Sequence, residues 1–144
     1  MPALARKTQG ELAEILFLHR AASQGLVVAK PWGENLPFDF VVGTKDGRFH
    51  RVQVKSTTRR HYHGYRLMCL RAAGRKRYRV GDIDFLAAYV IPEGVWYVIP
   101  VRAFAPRAAI VLVPTLPPCR RYERYREAWW LLGVRAKYPL PSTK

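Results

Sequence analysis

Residues 38 to 58 read FDFVVGTKDGRFHRVQVKSTT and contain the most informative pattern in the chain. Two runs rich in valine and phenylalanine flank the turn-forming sequence KDG (45–47), which is typical of a β-hairpin. Alternation along the second strand places Val52 and Val54 on one face, with Gln53 on the other. The pattern therefore predicts a hairpin whose second strand has one apolar and one polar face.

The length of the turn decides whether Asp39 joins that polar face, because a slip of one residue moves it to the opposite side. A two-residue turn (46–47) sets Asp39 opposite Val54, away from Gln53. A three-residue turn (45–47), with its glycine in the left-handed region, pairs Asp39 with Gln53. Both turns are chemically plausible, and we adopt the three-residue register.

In this register Asp39, Gln53 and Lys55 share one face of the hairpin. A metal ion that binds phosphate oxygens requires hard oxygen ligands, and an ammonium group beside them can stabilise negative charge. A carboxylate, an amide oxygen and an ammonium meet that need. The ordinary alternative is a half-buried hairpin whose polar face contacts only water.

A helix before the hairpin is expected to supply a further carboxylate. Apolar spacing predicts this helix from Thr8 to Gln24. The residues expected on its buried face are Leu12, Ile15, Leu16, His19 and Ala22. The sequence TQGE (8–11) fits a capping box, which gives Glu11 a structural role. Glu14 is the only charge in LAEILFL and would be costly to bury alone, so it is expected to approach the hairpin.

The remaining pattern predicts an α/β protein in which residues 1–144 form a single domain. Strands are expected at 26–30, within YRLMCLRAA (65–73), at 84–91, at 95–101 and at 110–113, the last three extending the sheet of the hairpin. A helix is predicted from Arg120 to Leu132, with its aromatic side chains in the core. Residues from Arg135 onward are expected to be loose.

The charge balance indicates a polyanionic partner. The chain has 25 Lys and Arg residues against 10 Asp and Glu, a net charge of +15. From Arg59 to Arg79 there are eight Lys or Arg residues and no acid. This segment is expected to contact DNA phosphates. Its proposed contacts are Arg59, Arg60, Arg75, Lys76, Arg77 and Arg79.

The two cysteines, Cys69 and Cys119, match no zinc-ligand spacing and are expected to be free thiols in a reducing cytoplasm. No apolar run approaches the length of a membrane span. No basic amphipathic helix with a free apolar face is evident either. The sequence thus favours a cytoplasmic protein without a membrane partner.

Three motifs in this order, GELAE (10–14), FDF (38–40) and QVK (53–55), resemble the PD-(D/E)XK nuclease superfamily. That superfamily includes archaeal Holliday junction resolvases and many restriction endonucleases, and the QxK variant is most similar to its group I intron homing endonucleases. The resemblance covers residues 8 to 58 and, more loosely, DIDFLAAYV and GVWYVIPV. Carried over residue by residue, it assigns the site to Glu14, Asp39, Gln53 and Lys55. Two departures are Phe38, which stands where a proline is usual, and Gln53, which replaces a carboxylate.

The resemblance implies a restriction-endonuclease-like fold, a mixed β-sheet flanked by helices. It also implies an endodeoxyribonuclease in which Asp39, Gln53 and Glu14 hold Mg²⁺, with Mn²⁺ as a substitute, and Lys55 orients the attacking water. Cutting both strands of a duplex asks for two sites, so a homo-oligomer, a dimer or higher, is expected. The rival hypothesis is a basic DNA-binding module that keeps the fold without catalysis, which the loss of a carboxylate at Gln53 favours.

Other polar residues have ordinary explanations. The histidines of HYH, His61 and His63, could bind metal, but phosphate contact or an exposed loop is the expected role. Glu34 and Asn35 stand just before Asp39 and could support the site from behind its ligands, although an ordinary loop is their expected position. Asp82 and Asp84 stand at a strand start and are expected to be structural.

Overall fold

The computed structural model of the protein describes residues 4–71, 75–115 and 121–134. In chain order its helices and strands are α1 (Arg6–Ser23), β1 (Val27–Ala29), β2 (Phe40–Gly43), β3 (Phe49–Thr57), β4 (Arg60–His61), β5 (Gly64–Met68), β6 (Leu70–Arg71), β7 (Lys76–Arg77), β8 (Phe85–Val90), β9 (Val95–Pro100), α2 (Val101–Phe104) and β10 (Ala109–Leu112). Short 3-10 turns occupy Ile91–Glu93, Glu123–Tyr125 and Trp129–Leu132.

The central element is a five-stranded sheet in the order β1-β2-β3-β8-β9. Strands β3 and β8 are parallel, and the other neighbours are antiparallel, so the sheet is mixed. A three-stranded sheet, β10-β5-β4, and the two-stranded hairpin β6-β7 complete the strand structure of the described residues. This architecture confirms the predicted α/β fold.

Each face of the central sheet has its own apolar core. Helix α1 packs on one face, where Phe17 stacks on Phe40 and on Trp129 with ring centroids 5.5 and 5.7 Å apart. Val52 and Val54 belong to this core. On the opposite face, residues of β8 and β9 pack against the β10-β5-β4 sheet. Because side chains alternate along β3, Gln53 and Lys55 point away from α1.

The predicted three-residue turn is correct. Gly43 pairs with Phe49 and Phe40 with Val52, the register that the turn at 45–47 requires. The amide of Gly47 donates to the carbonyl of Thr44 at 3.2 Å, and Gly47 has φ = 94°, in the left-handed region. This register places Asp39 opposite Gln53.

Helix α1 has the predicted position but a different beginning and a different buried face. It begins at Arg6, before Thr8, because the amide of Gln9 already bonds to the carbonyl of Ala5. Ala5 is the N-cap, and no side chain caps the helix. The predicted capping box, and with it the role assigned to Glu11, is wrong. The buried residues are Ala13, Phe17 and Ala21.

The residues predicted to face the core from α1 are therefore largely on the outside. Leu12 is 40% exposed and Ile15 is 63% exposed, Leu18 beside them is 44% exposed, and His19 and Ala22 are also exposed. Only Leu16 packs against the core, in part. An aromatic ring at Phe17 fills the space above the sheet, and small residues one turn away on either side let the helix approach closely. This leaves an exposed apolar face on α1, contrary to expectation.

The predicted helix from Arg120 to Leu132 is also wrong over the described residues. Two 3-10 turns take its place because the side chains of two glutamates bond to neighbouring strands. Glu123 accepts hydrogen bonds from Tyr97 Oη and from the amide of Val113, and Glu127 accepts one from the amide of Trp96 at 3.1 Å. Glu127 has φ = 53°, which a helix cannot contain.

Of the aromatic residues predicted to fill the core from this segment, Tyr122 and Trp129 are buried, whereas Trp130 is 52% exposed. Arg120 and the residues from Arg135 onward lie outside the described residues, as does Cys119. Cys69 is a free, buried thiol.

The strand predicted at 110–113 forms as β10, but it joins the second sheet rather than the central one. It pairs with β5, where Ile110 lies opposite Leu67. The approach is close at Gly64, where a Cβ atom would lie 2.4 Å from the carbonyl oxygen of Leu112. None of the described helices has the length and apolar character of a membrane-spanning segment.

Candidate active site

Three of the four predicted site residues line one open cleft of about 410 Å³. Asp39 enters it just before β2, and Gln53 and Lys55 enter it from the middle of β3. The remaining wall residues are Asn35, Leu36, Pro37, Leu70, Arg71, Lys76 and Tyr78. The loop before β2 and the β6-β7 hairpin thus form the sides of a cleft whose floor is β3.

Asp39 is held by the hairpin but is poorly compensated. Its Oδ2 accepts a hydrogen bond of 2.9 Å from the amide of Val54, and its own amide donates to the carbonyl of Val52. Burial raises the pKa of the Asp39 carboxyl, against the effects of the Val54 hydrogen bond and of Lys55 and Lys30. A carboxylate whose pKa is raised despite these partners is only partly compensated by them.

Lys55 is fixed by the opposite side of the cleft. Its Nζ donates a hydrogen bond of 2.8 Å to the carbonyl oxygen of Leu70 in β6. Burial lowers the pKa of Lys55, and the charge of Asp39 opposes that change. The carbonyl of Leu70 therefore directs the ammonium while leaving its other donors available to a ligand.

Gln53 lies between these two charges on the cleft floor. Its Nε2 donates to the carbonyl of Val54 at 3.4 Å, a long contact that holds the amide only loosely. The amide oxygen makes no hydrogen bond with another described residue. Gln53 can therefore offer that oxygen to a bound cation.

Glu14 approaches the site from α1 without lining the cleft. The charge of Asp39 contributes, after burial, to a raised pKa of the Glu14 carboxyl, whereas Lys30 opposes the shift. An ion pair of 3.7 Å joins Glu14 to Lys30 Nζ, so Glu14 has a partner that the sequence did not reveal. Glu11, the alternative, is exposed. Glu14 is thus the helical carboxylate that lies within electrostatic reach of Asp39.

Tyr78 is a cleft residue whose position the sequence did not predict. Its side chain is 1% exposed, and burial followed by the charge of Asp39 raises the pKa of its hydroxyl, which therefore stays protonated. In the sequence, the feature that could have indicated this residue is a tyrosine within the basic stretch RKRYR. Nothing in that pattern distinguishes a tyrosine in a cleft wall from one on the surface.

Asp84 and Asp82 have the structural roles that were expected. Asp84 accepts hydrogen bonds from the amide of Arg51 at 2.7 Å and from its guanidinium at 3.2 Å. Asp82 forms an ion pair with Arg71 at 3.3 Å and accepts from the amide of Arg79. Both carboxylates are satisfied and lie outside the cleft.

Four of the predicted DNA contacts, Arg75, Lys76, Arg77 and Arg79, line a basic groove beside the cleft. The groove shares Arg71 and Lys76 with the cleft, so the two positive surfaces are continuous. The other two predicted contacts lie elsewhere, near β4. Arg59 is exposed there, whereas the Arg60 guanidinium stacks 5.0 Å from the ring centre of Tyr65 and donates to its hydroxyl.

Of the remaining polar candidates, Asn35 lines the cleft, whereas the others do not. His63 and Glu34 are exposed, and His61 lines a different cavity. Among the described residues, no group of three His, Cys, Asp or Glu side chains could hold a metal ion. The amide oxygen of Gln53 is a further hard oxygen on the cleft floor, beside the carboxylate of Asp39.

An oxygen donor set and an ammonium facing an open, basic cleft are suited to hydrolysis of phosphodiesters, the chemistry of nucleases. Comparison with known proteins agrees. Residues 4–131 match the PD-(D/E)XK endonuclease family, and the chain belongs to that family. Nucleases of this kind generally use divalent metal ions and act on DNA.

The known proteins that are similar to this chain include a phage protein and a homing endonuclease of known structure. Protein 5.3 of Escherichia phage T7 is 33% identical over 87 residues, which are 59% of this chain and 73% of that protein. The solved structure of a bacterial homing endonuclease, I-Ssp6803I, superposes with a TM-score of 0.75 and 33% identity, covering 89% of this chain and 93% of the other. The restriction-endonuclease-like fold inferred from the motifs is therefore correct.

Proposed function

We propose that this protein is a Mg²⁺-dependent endodeoxyribonuclease that hydrolyses phosphodiester bonds of duplex DNA. The observation that supports the proposal most strongly is the convergence of Asp39, Gln53 and Lys55 in one basic cleft. The similarity to a homing endonuclease at 33% identity favours a duplex rather than a branched substrate.

The residues present fit a divalent cation. The pKa values of Asp39 and Glu14 are both raised, by burial first, and the charge of Asp39 adds to the shift of Glu14. A cation beside them would relieve both effects. The Gln53 amide oxygen supplies a third hard ligand. Asp39 and Gln53 would hold the ion directly, with Glu14 direct or through water.

When bound, the ion supplies Lewis-acid polarisation of the scissile phosphate and lowers the pKa of the attacking water. Lys55 orients that water and donates a hydrogen bond to the phosphate oxygens, where it stabilises the negative charge that develops. The Leu70 carbonyl holds Nζ in place for this task. The water oxygen bonds to phosphorus and releases a proton to solvent, while the bond between phosphorus and the 3′ oxygen breaks and that oxygen takes up a proton from solvent.

The basic groove beside the cleft would bind the flanking DNA. Arg75, Lys76 and Arg77 form no ion pair with a described carboxylate, so their charges are available to phosphates. Since Lys76 lines both surfaces, a strand that enters the cleft also crosses the groove.

A homo-oligomer, a dimer or higher, would supply the two sites needed to cut both strands. The exposed apolar face of α1 around Leu12, Ile15 and Leu18 supports this assembly, since such surface is commonly buried between subunits. Sedimentation of wild type and of Ile15→Glu tests it. A monomeric wild type would contradict the proposal.

A non-catalytic DNA-binding module is the second candidate, favoured by the replacement of a carboxylate by Gln53. Incubation with duplex, four-way junction and flap DNA, in Mg²⁺ or in chelator, separates the two. We expect cleavage of the duplex in Mg²⁺ alone. Binding without metal-dependent cleavage of any of the three would establish the module instead.

A further inference from the structure

A second cleft, of about 490 Å³, lies between the outer surface of β10 and the segment that follows residue 120. Arg66 of β5 and Val111 of β10, which pair with each other, contribute to one wall. Arg107, Arg121 and Tyr122 contribute to the other walls. None of these residues lines the catalytic cleft or the basic groove.

This cleft is positively charged without internal compensation. Its only acid among the described lining residues is Glu123, which is 2% exposed. That carboxylate already accepts a hydrogen bond from the hydroxyl of Tyr97 and one of 3.1 Å from the amide of Val113. Arg66, Arg107 and Arg121 form no ion pair with a described carboxylate. The three guanidinium groups therefore lack an anionic partner in the described part of the chain.

The wall of the cleft also contains an unsatisfied hydrogen-bonding group. Tyr122 is 5% exposed, and its buried hydroxyl has no hydrogen-bond partner among the described residues. Burial raises the pKa of this hydroxyl, whereas Arg107 and Arg121 act to lower it, so both guanidinium groups lie within electrostatic reach. Buried polar groups are normally paired, and an unpaired one requires an explanation. Two cations and a protonated phenol are together a donor set for an oxyanion.

We propose that this second cleft binds a backbone phosphodiester of DNA, held by Arg107 and Arg121 and, once the Tyr122 side chain turns its buried hydroxyl into the cleft, by a hydrogen bond from Tyr122 Oη. The identity of the anion rests on the proposed nuclease function. Arg107 directly follows Pro106, which lines the basic groove, so positively charged surface extends along this part of the chain. The second cleft thus fixes the DNA at a phosphate other than the scissile one.

The first test compares two double variants of equal charge. Arg107→Gln with Arg121→Gln removes the proposed ligands. Arg48→Gln with Arg102→Gln removes two exposed arginines that line none of the three cavities. Duplex affinity is measured by fluorescence anisotropy in chelator across a range of salt concentrations, so no cleavage occurs.

The Arg107/Arg121 variant should bind about tenfold or more weakly, since hydrogen bonds to charged groups are among the strongest. The slope of log affinity against log salt should fall by about 0.9, as expected for one lost phosphate contact. The control should change far less. Equal behaviour of the two variants would overturn the proposal.

The second test isolates the tyrosine. Tyr122→Phe removes a hydroxyl with no protein partner, so thermal stability should be maintained or raised. Duplex affinity should nevertheless fall about 2- to 10-fold, because a donor to the phosphate is lost. Tyr62→Phe, at an exposed position, is the matched control. If Tyr122→Phe binds like wild type, the arginines act only as surface charge and there is no built phosphate site.

Inorganic phosphate distinguishes a free anion from the DNA backbone. Thermal stabilisation by phosphate without DNA, lost in the Arg107/Arg121 variant whose duplex affinity is unchanged, would assign the cleft to free phosphate and overturn the proposal. These binding measurements are independent of catalysis. If wild type does not cleave DNA but its affinity depends on Arg107 and Arg121, only the nuclease function is contradicted. If wild type cleaves DNA but the Arg107/Arg121 variant binds with unaltered affinity, only this inference is contradicted.

Discussion

Two pairs of opposite charges lie along β3, and their environments differ. Near the strand's beginning, Arg51 and Asp84 share hydrogen bonds between side chains and between a side chain and an amide. Four residues later, Lys55 lies within electrostatic reach of Asp39 in the cleft, but its ammonium bonds to the carbonyl of Leu70 instead. The first pair satisfies its own charges, and the second does not.

The pKa values of the two acids record this difference. Burial acts to raise the pKa of Asp84, yet the bonds with Arg51 outweigh it and the net shift is downward. For Asp39, burial prevails over its partners and the net shift is upward. Residue type alone does not separate a structural carboxylate from a functional one. The degree of compensation does, because an uncompensated carboxylate can still bind a cation.

The largest expected effect is the loss of cleavage when either charge of the uncompensated pair is removed. Asp39→Ala and Lys55→Ala should each reduce cleavage by about 10³-fold or more, because metal binding or charge stabilisation is lost. Duplex binding in chelator should stay within about twofold of wild type, since distant cations dominate it. Lys45→Ala, in the exposed turn, is the control and should cleave normally.

The same contrast applies to the cations. Arg51 is committed to Asp84, whereas Arg75, Lys76 and Arg77 have no described carboxylate partner. Changing these three together to Gln should flatten the slope of log affinity against log salt by about 2.7 if each contacts a phosphate. Lys7, Lys45 and Arg48, all exposed, form the matched triple variant. An unchanged slope would show that the groove lies off the DNA.

Stability should respond in opposite directions at the two acids. At neutral pH in chelator, Asp84→Asn should lower the free energy of unfolding by about 1–2 kcal/mol, a value already discounted because both side chains are 37% exposed. Asp39→Asn should leave it unchanged or raise it. Denaturant unfolding measures both. A loss above about 1 kcal/mol for Asp39→Asn would mean that the ionised carboxylate stabilises the fold.

The pH dependence follows from the same shifts. The folded pKa of Asp39 lies above its unfolded value, so its stabilising contribution is complete below the unfolded pKa and is lost as the pH rises through the folded pKa. The folded pKa of Asp84 lies below its unfolded value, so its contribution is present above the unfolded pKa and is lost as the pH falls through the folded one. Unfolding of the two Asn variants across acidic pH should show these opposite trends relative to wild type.

The hairpin could be predicted because its information is local. The sequence KDG limits the turn to a few geometries, and the chosen turn fixed which residues share the face of Gln53. Strand alternation did the rest. Glu14 lies within electrostatic reach of Asp39 without lining the cleft, so its role at the site stays a prediction, and the capping box that singled it out does not form.

The errors arose where tertiary contacts decided the outcome. Apolar residues occur all round α1, so spacing could not show that Phe17 rather than Ile15 faces the sheet. After residue 120 the aromatic spacing suggested a helix. The hydrogen bonds that Glu127 accepts from the amide of Trp96 and Glu123 from the amide of Val113 prevented it. The partner of Lys55 is a backbone carbonyl, which no side-chain pattern reveals.

A smaller effect is expected at Gln53. Gln53→Glu adds a negative charge to the uncompensated site and should lower the Mg²⁺ concentration for half-maximal cleavage by about 3- to 10-fold. The direction for turnover is open, because the new carboxylate would also pair with Lys55. A higher metal requirement would place the Gln53 side chain away from the ion.

The most direct measurement is thermal unfolding of wild type, Asp39→Asn and Asp84→Asn, each in excess Mg²⁺ and in chelator at constant ionic strength. An ion that binds only the folded protein raises the midpoint temperature of unfolding by mass action. We expect this rise for wild type and for Asp84→Asn, and its absence for Asp39→Asn. An equal rise in all three proteins, or none in wild type, would contradict the claim that the uncompensated carboxylate of β3's cleft is a metal ligand.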